Sequence, residues 1–252
     1  MNLLVDAFAW IFDPEHAVGP NGIPTRLVQH LGISLVVLVI AAVIAVPTGY
    51  LIGHTGRGRG LAVSLTGGLR ALPTLGLIII LALWLGIGLE APLIALIVLA
   101  IPPILAGAYS GFEAVDRRTI DAARAVGMTE LQIVRKIEVP LGLPLLIGGL
   151  RSGTLQIIAT ATLADYVGAG GLGHFIFSGQ KSNNYPEMLA GSLLVIALAL
   201  LSEGIFAVLQ KLVVPRGVTA SQRTDVRTTS SRRVAVVGKP TQEGKNDVHS
   251  KH

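Results

Sequence analysis

The chain reads as an all-α protein that crosses a lipid bilayer several times, and three observations predict this. Hydrophobic residues make up 51% of its 252 positions and charged residues only 14%, against roughly 25% charged in an average soluble domain. Mean hydropathy is +0.66, and the apolar residues are gathered into long runs rather than scattered. The cations fall unevenly in the gaps between those runs. Cysteine is absent, which excludes a disulfide framework, a thiolate metal site, an iron–sulfur cluster and a Cys nucleophile.

A hydrocarbon core about 30 Å thick needs roughly 20 apolar residues in helical form. Residues 31–53, 71–89 and 91–112 hold no charge, and the second run starts near Leu61 if Arg70 is tolerated. Residues 141–164 are interrupted only by Arg151, and 188–210 only by Glu203. Five spans are expected. Residues 1–12 are apolar but too short to span, and they lack the basic start of a signal peptide. They read as an interfacial helix with Trp10 and Phe12 at headgroup level, stopped by Asp13-Pro14. The domain plan is therefore an external or interfacial segment over 1–29, a membrane domain over 30–214 and a tail over 215–252. The tail is rich in Ser, Thr, Arg and Gln, so it is expected to be disordered, basic and solvated.

Sixteen of the twenty Lys and Arg lie on one side of a five-span chain: two in 54–60, five in 113–140 and nine from Lys211 onward. Arg26 and Lys181 lie on the other side. Cytoplasmic loops carry such an excess, so the N-terminus is expected outside and the C-terminus inside.

The loop at 113–140 carries its own helix signals. Asp116 can N-cap a helix over 117–126, and Gly127 suits a left-handed closing position. Thr129 with Gln132 makes a capping-box pattern for a second helix, which Pro140 is expected to end. A helix, a glycine corner and a helix then stand between two spans, a shape suited to another protein's groove. A DNA-reading helix–turn–helix is disfavoured by the short tethers and only five basic residues, so no nucleic-acid partner is expected.

Asp121-Ala122-Ala123, three residues, Gly127, nine residues, then Ile137, one residue and Val139-Pro140 resembles the EAA loop of permease subunits of bacterial ATP-binding cassette importers. Asp stands for Glu and Val for Leu, with the spacing kept. Residues 69–89 (LRALPTLGLIIILALWLGIGL), 141–153 (LGLPLLIGGLRSG) and 159–179 (ATATLADYVGAGGLGHFIFSG) resemble permeases of the glycine betaine, choline, carnitine and proline osmoprotectant importers. The likeness covers about 30–214. It implies a five-helix core like that of the methionine permeases, in the cytoplasmic membrane of a bacterium. Asp121, Ala122, Ala123, Gly127, Ile137, Val139 and Pro140 would then be the coupling region that docks into an ATPase subunit. The resemblance also implies an extracytoplasmic binding protein and a second permease copy or homologue as partners, beside the bilayer. Methionine importer permeases carry a similar glycine element, so a methionine or other amino-acid importer is the nearest alternative. An ion-coupled secondary transporter is the alternative of another class, and it leaves the loop at 113–140 unexplained.

No G-x-x-x-x-G-K-[ST] occurs, so the chain is expected to bind no nucleotide of its own and to be a transport subunit rather than an enzyme. No catalytic residue and no cluster at metal-ligand spacing stands out. Three charges fall within spans, where ionisable groups are costly. Arg70, Arg151 and Glu203 lie at similar depths, roughly 12–15 Å from the cytoplasmic ends at 1.5 Å per residue, and Glu203 is expected to pair with Arg151 or Arg70. Pathway candidates are the polar Thr74, Thr154, Gln156, Thr160 and Thr162 on apolar helices, with Pro73, which within a span frees a backbone carbonyl and is tolerated where that faces protein or a water-filled cavity. Gly168, Gly170, Gly171 and Gly173 suit a re-entrant turn or external gate, flanked by Asp165, Tyr166 and His174 as contacts for a docking protein.

Overall fold

The computed structural model describes residues 2–213. The expectation of a disordered tail over 215–252 lies outside the described residues. Ten α-helices follow in order: α1 (Leu3–Phe12), α2 (Ile23–Thr55), α3 (Arg59–Arg70), α4 (Thr74–Leu85), α5 (Glu90–Glu113), α6 (Arg117–Ala125), α7 (Glu130–Ile133), α8 (Val139–Thr160), α9 (Gly173–Ser182) and α10 (Tyr185–Val213). The described residues form no strand, so the all-α class holds.

The centre is a three-helix packing of α2, α5 and α8. Ile33, Val37, Ala41 and Ala45 of α2 meet Leu96, Ala100 and Ile104 of α5 and Ile157 of α8. Small residues bring these backbones together. A methyl group built on Gly107 of α5 would sit 2.5 Å from the Cα of Gly149 in α8, and the reverse approach is 2.7 Å. Four residues along, Gly111 and Gly142 meet as closely. Close small-residue contact is how helices associate where lipid removes the hydrophobic drive between them. A second cluster, around Leu172, Phe175, Val195 and Leu198, joins α9 and α10 to the end of α8, and Trp10 of α1 packs against it.

Among the described residues, α2, α5 and α10 are long and apolar enough to cross a membrane, and α3 with α4 makes a fourth if that pair is one broken span. The helix α8 has 22 residues. Arg151, Gln156 and its glycines make it less apolar than the other three. The boundaries also move. The first span begins eight residues early, because Gly22 starts the helix and Pro24 fits its first turn. The second is not one helix. It bends by 86° at a break between Arg70 and Thr74, since Pro73 lacks an N–H and disfavours a helical Leu72. The second loop helix is not ended by Pro140. It passes through a five-residue π-helical segment, Val134–Glu138, into α8, with Pro140 in that helix's first turn. The fixed φ of proline is compatible with a helix at that position. The helix α9 has no counterpart in the sequence reading.

Candidate functional site

The loop between α5 and α8 forms as its capping residues dictate. The Asp116 carboxylate accepts from the Arg118 N–H to start α6, and Gly127 adopts φ +84° just beyond its end. Thr129 Oγ1 accepts from the Gln132 N–H while Gln132 Oε1 accepts from the Thr129 N–H, closing the capping box. The matched motif divides by orientation: Ala123 is buried, whereas Asp121, Ala122 and Gly127 are exposed. Ile137, Val139 and Pro140 are half-buried at the root of α8. Two apolar side chains beside the corner, Val126 and Leu131, are 79% and 60% exposed.

This loop is tied to the end of α2 by polar contacts that sequence reasoning did not anticipate. His54 Nδ1 donates to Glu138 Oε2 at 2.8 Å, and its Nε2 lies 3.5 Å from Glu130 Oε2. Arg124 grips both Glu130 oxygens at 2.8 and 3.1 Å and reaches Asp121 at 3.4 Å. The hydrogen-bonded guanidinium of Arg124 holds the Glu130 carboxyl below its usual range. Beside these groups, Arg59 pairs with Glu113 at 2.6 Å, and a cavity of about 260 Å³ opens among α2, α5 and α6.

His30 is on the same helix as His54, 24 residues earlier and hence about 36 Å away. Here the glycine turn is anchored. Gly168, Gly170 and Gly171 have φ of +79°, +82° and +90°, while Gly173 begins α9. A methyl on Gly173 would overlap the Thr162 carbonyl at 1.9 Å. The imidazole of His30 is wholly buried. Its Nε2 donates to the Ile158 carbonyl at 3.0 Å, and its Nδ1 accepts from the Leu172 N–H at 3.3 Å. A carbonyl can only accept and an amide N–H can only donate, so one neutral tautomer satisfies both. The ring thereby serves two helix ends: a last-turn carbonyl of α8 and the N-cap amide of α9. Gln29 Oε1 accepts from the Gly171 N–H at 3.2 Å. Asp165 and His174 approach to 3.4 Å. With Arg26, Tyr166 and Lys181 they line an open cavity of about 590 Å³ against α4.

Of the charges within spans, Arg151 joins Glu203. Its Nε donates to Oε2 at 2.7 Å, with a second contact from Nη2 to Oε1, linking α8 to α10. Arg70 ends α3 on an exposed face and takes part in none of the ion pairs among the described residues. Most of the polar pathway candidates bond within the protein. The hydroxyls of Thr154, Thr160 and Thr162 bond carbonyls of their own chain segment at Leu150, Gln156 and Ala159. Gln156 Nε2 donates to the Leu99 carbonyl of α5 at 3.0 Å. That carbonyl lacks its helical partner because the residue four positions on is Pro103, which has no N–H. Pro73 precedes α4 and Thr74 opens it.

A helical bundle with a capped helix–corner–helix loop between two of its long helices defines a class: a membrane-embedded transport subunit. The chain matches, over residues 43–217, the family described as binding-protein-dependent transport system inner membrane component. It belongs to that family, whose members are multi-pass membrane proteins. It is 31% identical over 189 residues to the glycine betaine/carnitine/choline transport system permease protein of Bacillus subtilis, covering 75% of this chain and 87% of that one. It is 34% identical over 190 residues to the carnitine transport permease protein of Listeria monocytogenes, with the same coverage. In fold it is similar to a chain of the MetNI methionine ABC transporter in an inward-facing conformation. There the TM-score is 0.67 at 24% identity, over 77% of this chain and 96% of the other.

Proposed function

We propose that the chain is the permease subunit of an ATP-driven importer for an osmoprotectant of the glycine betaine, choline, carnitine or proline type. A separate ATPase subunit binds the nucleotide and docks on α6 and α7, an extracytoplasmic binding protein delivers the solute, and a second permease copy or a homologue completes the pathway. The N-terminus lies outside and the C-terminus in the cytoplasm, with α8 and the broken α3–α4 pair completing five spans. The observation that carries this reading is the α6–α7 corner. It holds its shape by its own caps and presents Val126 and Leu131 to solvent, which is the form of a surface that a partner's groove covers.

ATP-driven closure of the ATPases would shift α6 and α7, and the spans would switch between inward-open and outward-open arrangements. Aromatic residues make up only 5% of the chain, so cation–π capture of a quaternary ammonium belongs mainly to the binding protein. The permease supplies chiefly a route, with Pro73, Thr74, Thr154, Gln156, Thr160 and Thr162 along its walls and the glycines at 168–173 as the external gate.

Copurification with the candidate ATPase, followed by uptake in vesicles, tests this. Val126→Asp, Leu131→Asp and Gly127→Asp are each expected to abolish copurification and to reduce uptake at least tenfold. Ala123→Asp is a poorer probe because Ala123 faces inward. Intact uptake in all three variants contradicts the docking surface, and uptake of methionine in place of a betaine contradicts the substrate class.

A further inference from the structure

The docking loop is attached to the rest of the protein by a few buried apolar side chains, Val115, Ala123 and Ile133, and by polar contacts. The buried residue of α6 is Ala123, and that of α7 is Ile133. Its other tether to α2 is the imidazole of His54. On one side of that ring stands Glu138, only 2% exposed, whose carboxylate has His54 as its one hydrogen-bond partner among the described residues. On the other stands Glu130, which carries Arg124 and through it Asp121. A carboxylate so buried is costly unless it is paired. An apolar side chain at 138 would anchor the loop with no such cost.

The contact lies at a backbone irregularity. Glu138 ends the π-helical segment that joins α7 to α8, and such segments are frequent at functional sites. The helix that receives the contact continues from His54 past Pro47, where one ladder hydrogen bond is missing, to His30, where the glycine turn is anchored. A small displacement of α6 and α7 thus reaches the far end of the bundle through one helix. The polar cavity beside His54, with Arg59, Glu113 and Arg117 on its walls, leaves room for the ring to move.

We infer that His54 and Glu138 are positioning residues that transmit movement of the α6–α7 loop to α2, through the imidazole held between Glu138 and Glu130. This rests on the docking of an ATPase on that loop. It adds the element that receives the stroke and the contact that delivers it. Coupling between distant sites travels through polar contacts of this kind when they bias one packed element.

The test uses the complete transporter, comprising permease, ATPase and binding protein, in proteoliposomes, with solute uptake and ATP hydrolysis measured together. Wild-type copurification and ATP-dependent uptake test the functional reading separately. In His54→Ala, the ATPase is expected to copurify at wild-type levels and basal ATP hydrolysis to persist. Solute moved per ATP should fall at least tenfold, and stimulation by loaded binding protein should be lost. His54→Gln keeps a donor toward Glu138 and is expected to recover at least a third of the wild-type ratio. If His54→Ala does not assemble, Glu138→Gln preserves shape and an acceptor while removing the charge, and its ratio should fall at least threefold. A merely structural role would lower assembly, hydrolysis and uptake together at constant solute per ATP, and that result overturns the inference. An unchanged ratio in Glu138→Gln overturns it as well.

Discussion

The two histidines of α2 do opposite kinds of work. His30 is fully enclosed and bonds only backbone, a carbonyl on one side and an amide on the other. His54 is one-quarter exposed, and both of its ring nitrogens face carboxylates. The glycine turn is therefore held by neutral hydrogen bonds with no water to replace them. The 113–140 loop is held in part by the exposed Arg124–Glu130 pair, which water and salt can reach, beside the buried Glu138. Ionic contacts at a partly open surface weaken with salt and proton concentration, whereas a buried neutral bond is costly to lose. A transporter needs one end that yields to a partner and another that keeps its shape until pulled, and the chemistry differs accordingly.

The largest expected effect comes from breaking the enclosed end. His30→Ala leaves the Ile158 carbonyl and the Leu172 N–H without partners, at about 1–3 kcal/mol for each buried group. Thermal unfolding of the purified protein should move down by several degrees and uptake should collapse. A melting temperature within a degree of wild type would mean that the turn is held by packing alone.

An intermediate effect is expected at the ion pair that joins α8 to α10. Arg151→Glu and Glu203→Arg each leave a charge unpaired away from bulk water, which typically costs a few kcal/mol. The double variant restores the pair with its polarity exchanged. It should recover expression and uptake well beyond either single change. Equal defects in all three variants would show that Arg151 and Glu203 act independently.

The smallest effect belongs to the exposed end. Because Arg124 holds the Glu130 carboxyl below its usual value of 4.5, the folded loop takes up this proton less readily than the open chain. The order this pair contributes is present above that usual value and is lost as pH falls through the depressed one. Protease resistance of residues 117–133 should exceed that of Glu130→Gln at neutral pH, and the gap should close as pH drops below about 4.5 or salt rises. A constant gap would contradict the ionic account of this end.

What the sequence disclosed follows the same division. The loop was readable because its signals are local: Asp116 to Arg118, Thr129 with Gln132, and Gly127 at a positive φ all act within three residues. The existence of the long apolar helices was readable from run length. The break before Thr74 was not, since Pro73 was read as tolerated within a span, and the chain turns there instead. The helix α9 escaped because it begins on Gly173 with no capping side chain and follows a glycine-rich turn. His30, Gln29, His54 and Glu138 escaped for a further reason. Their partners lie 84 to 142 positions away, and nothing periodic or local marks such a pair. Gln156 was singled out for its polarity, but its bond to a carbonyl orphaned by Pro103 needs the packing of α5 on α8 to be known.

The central claim is that this chain carries solute across the bilayer while the driving force enters from another subunit at α6 and α7. Reconstitution of the permease with and without its ATPase, binding protein and ATP tests it most directly. Radiolabelled betaine should build up inside vesicles only when all components are present, and Val126→Asp should abolish the build-up. Concentration of the solute by vesicles holding this chain alone would contradict the claim.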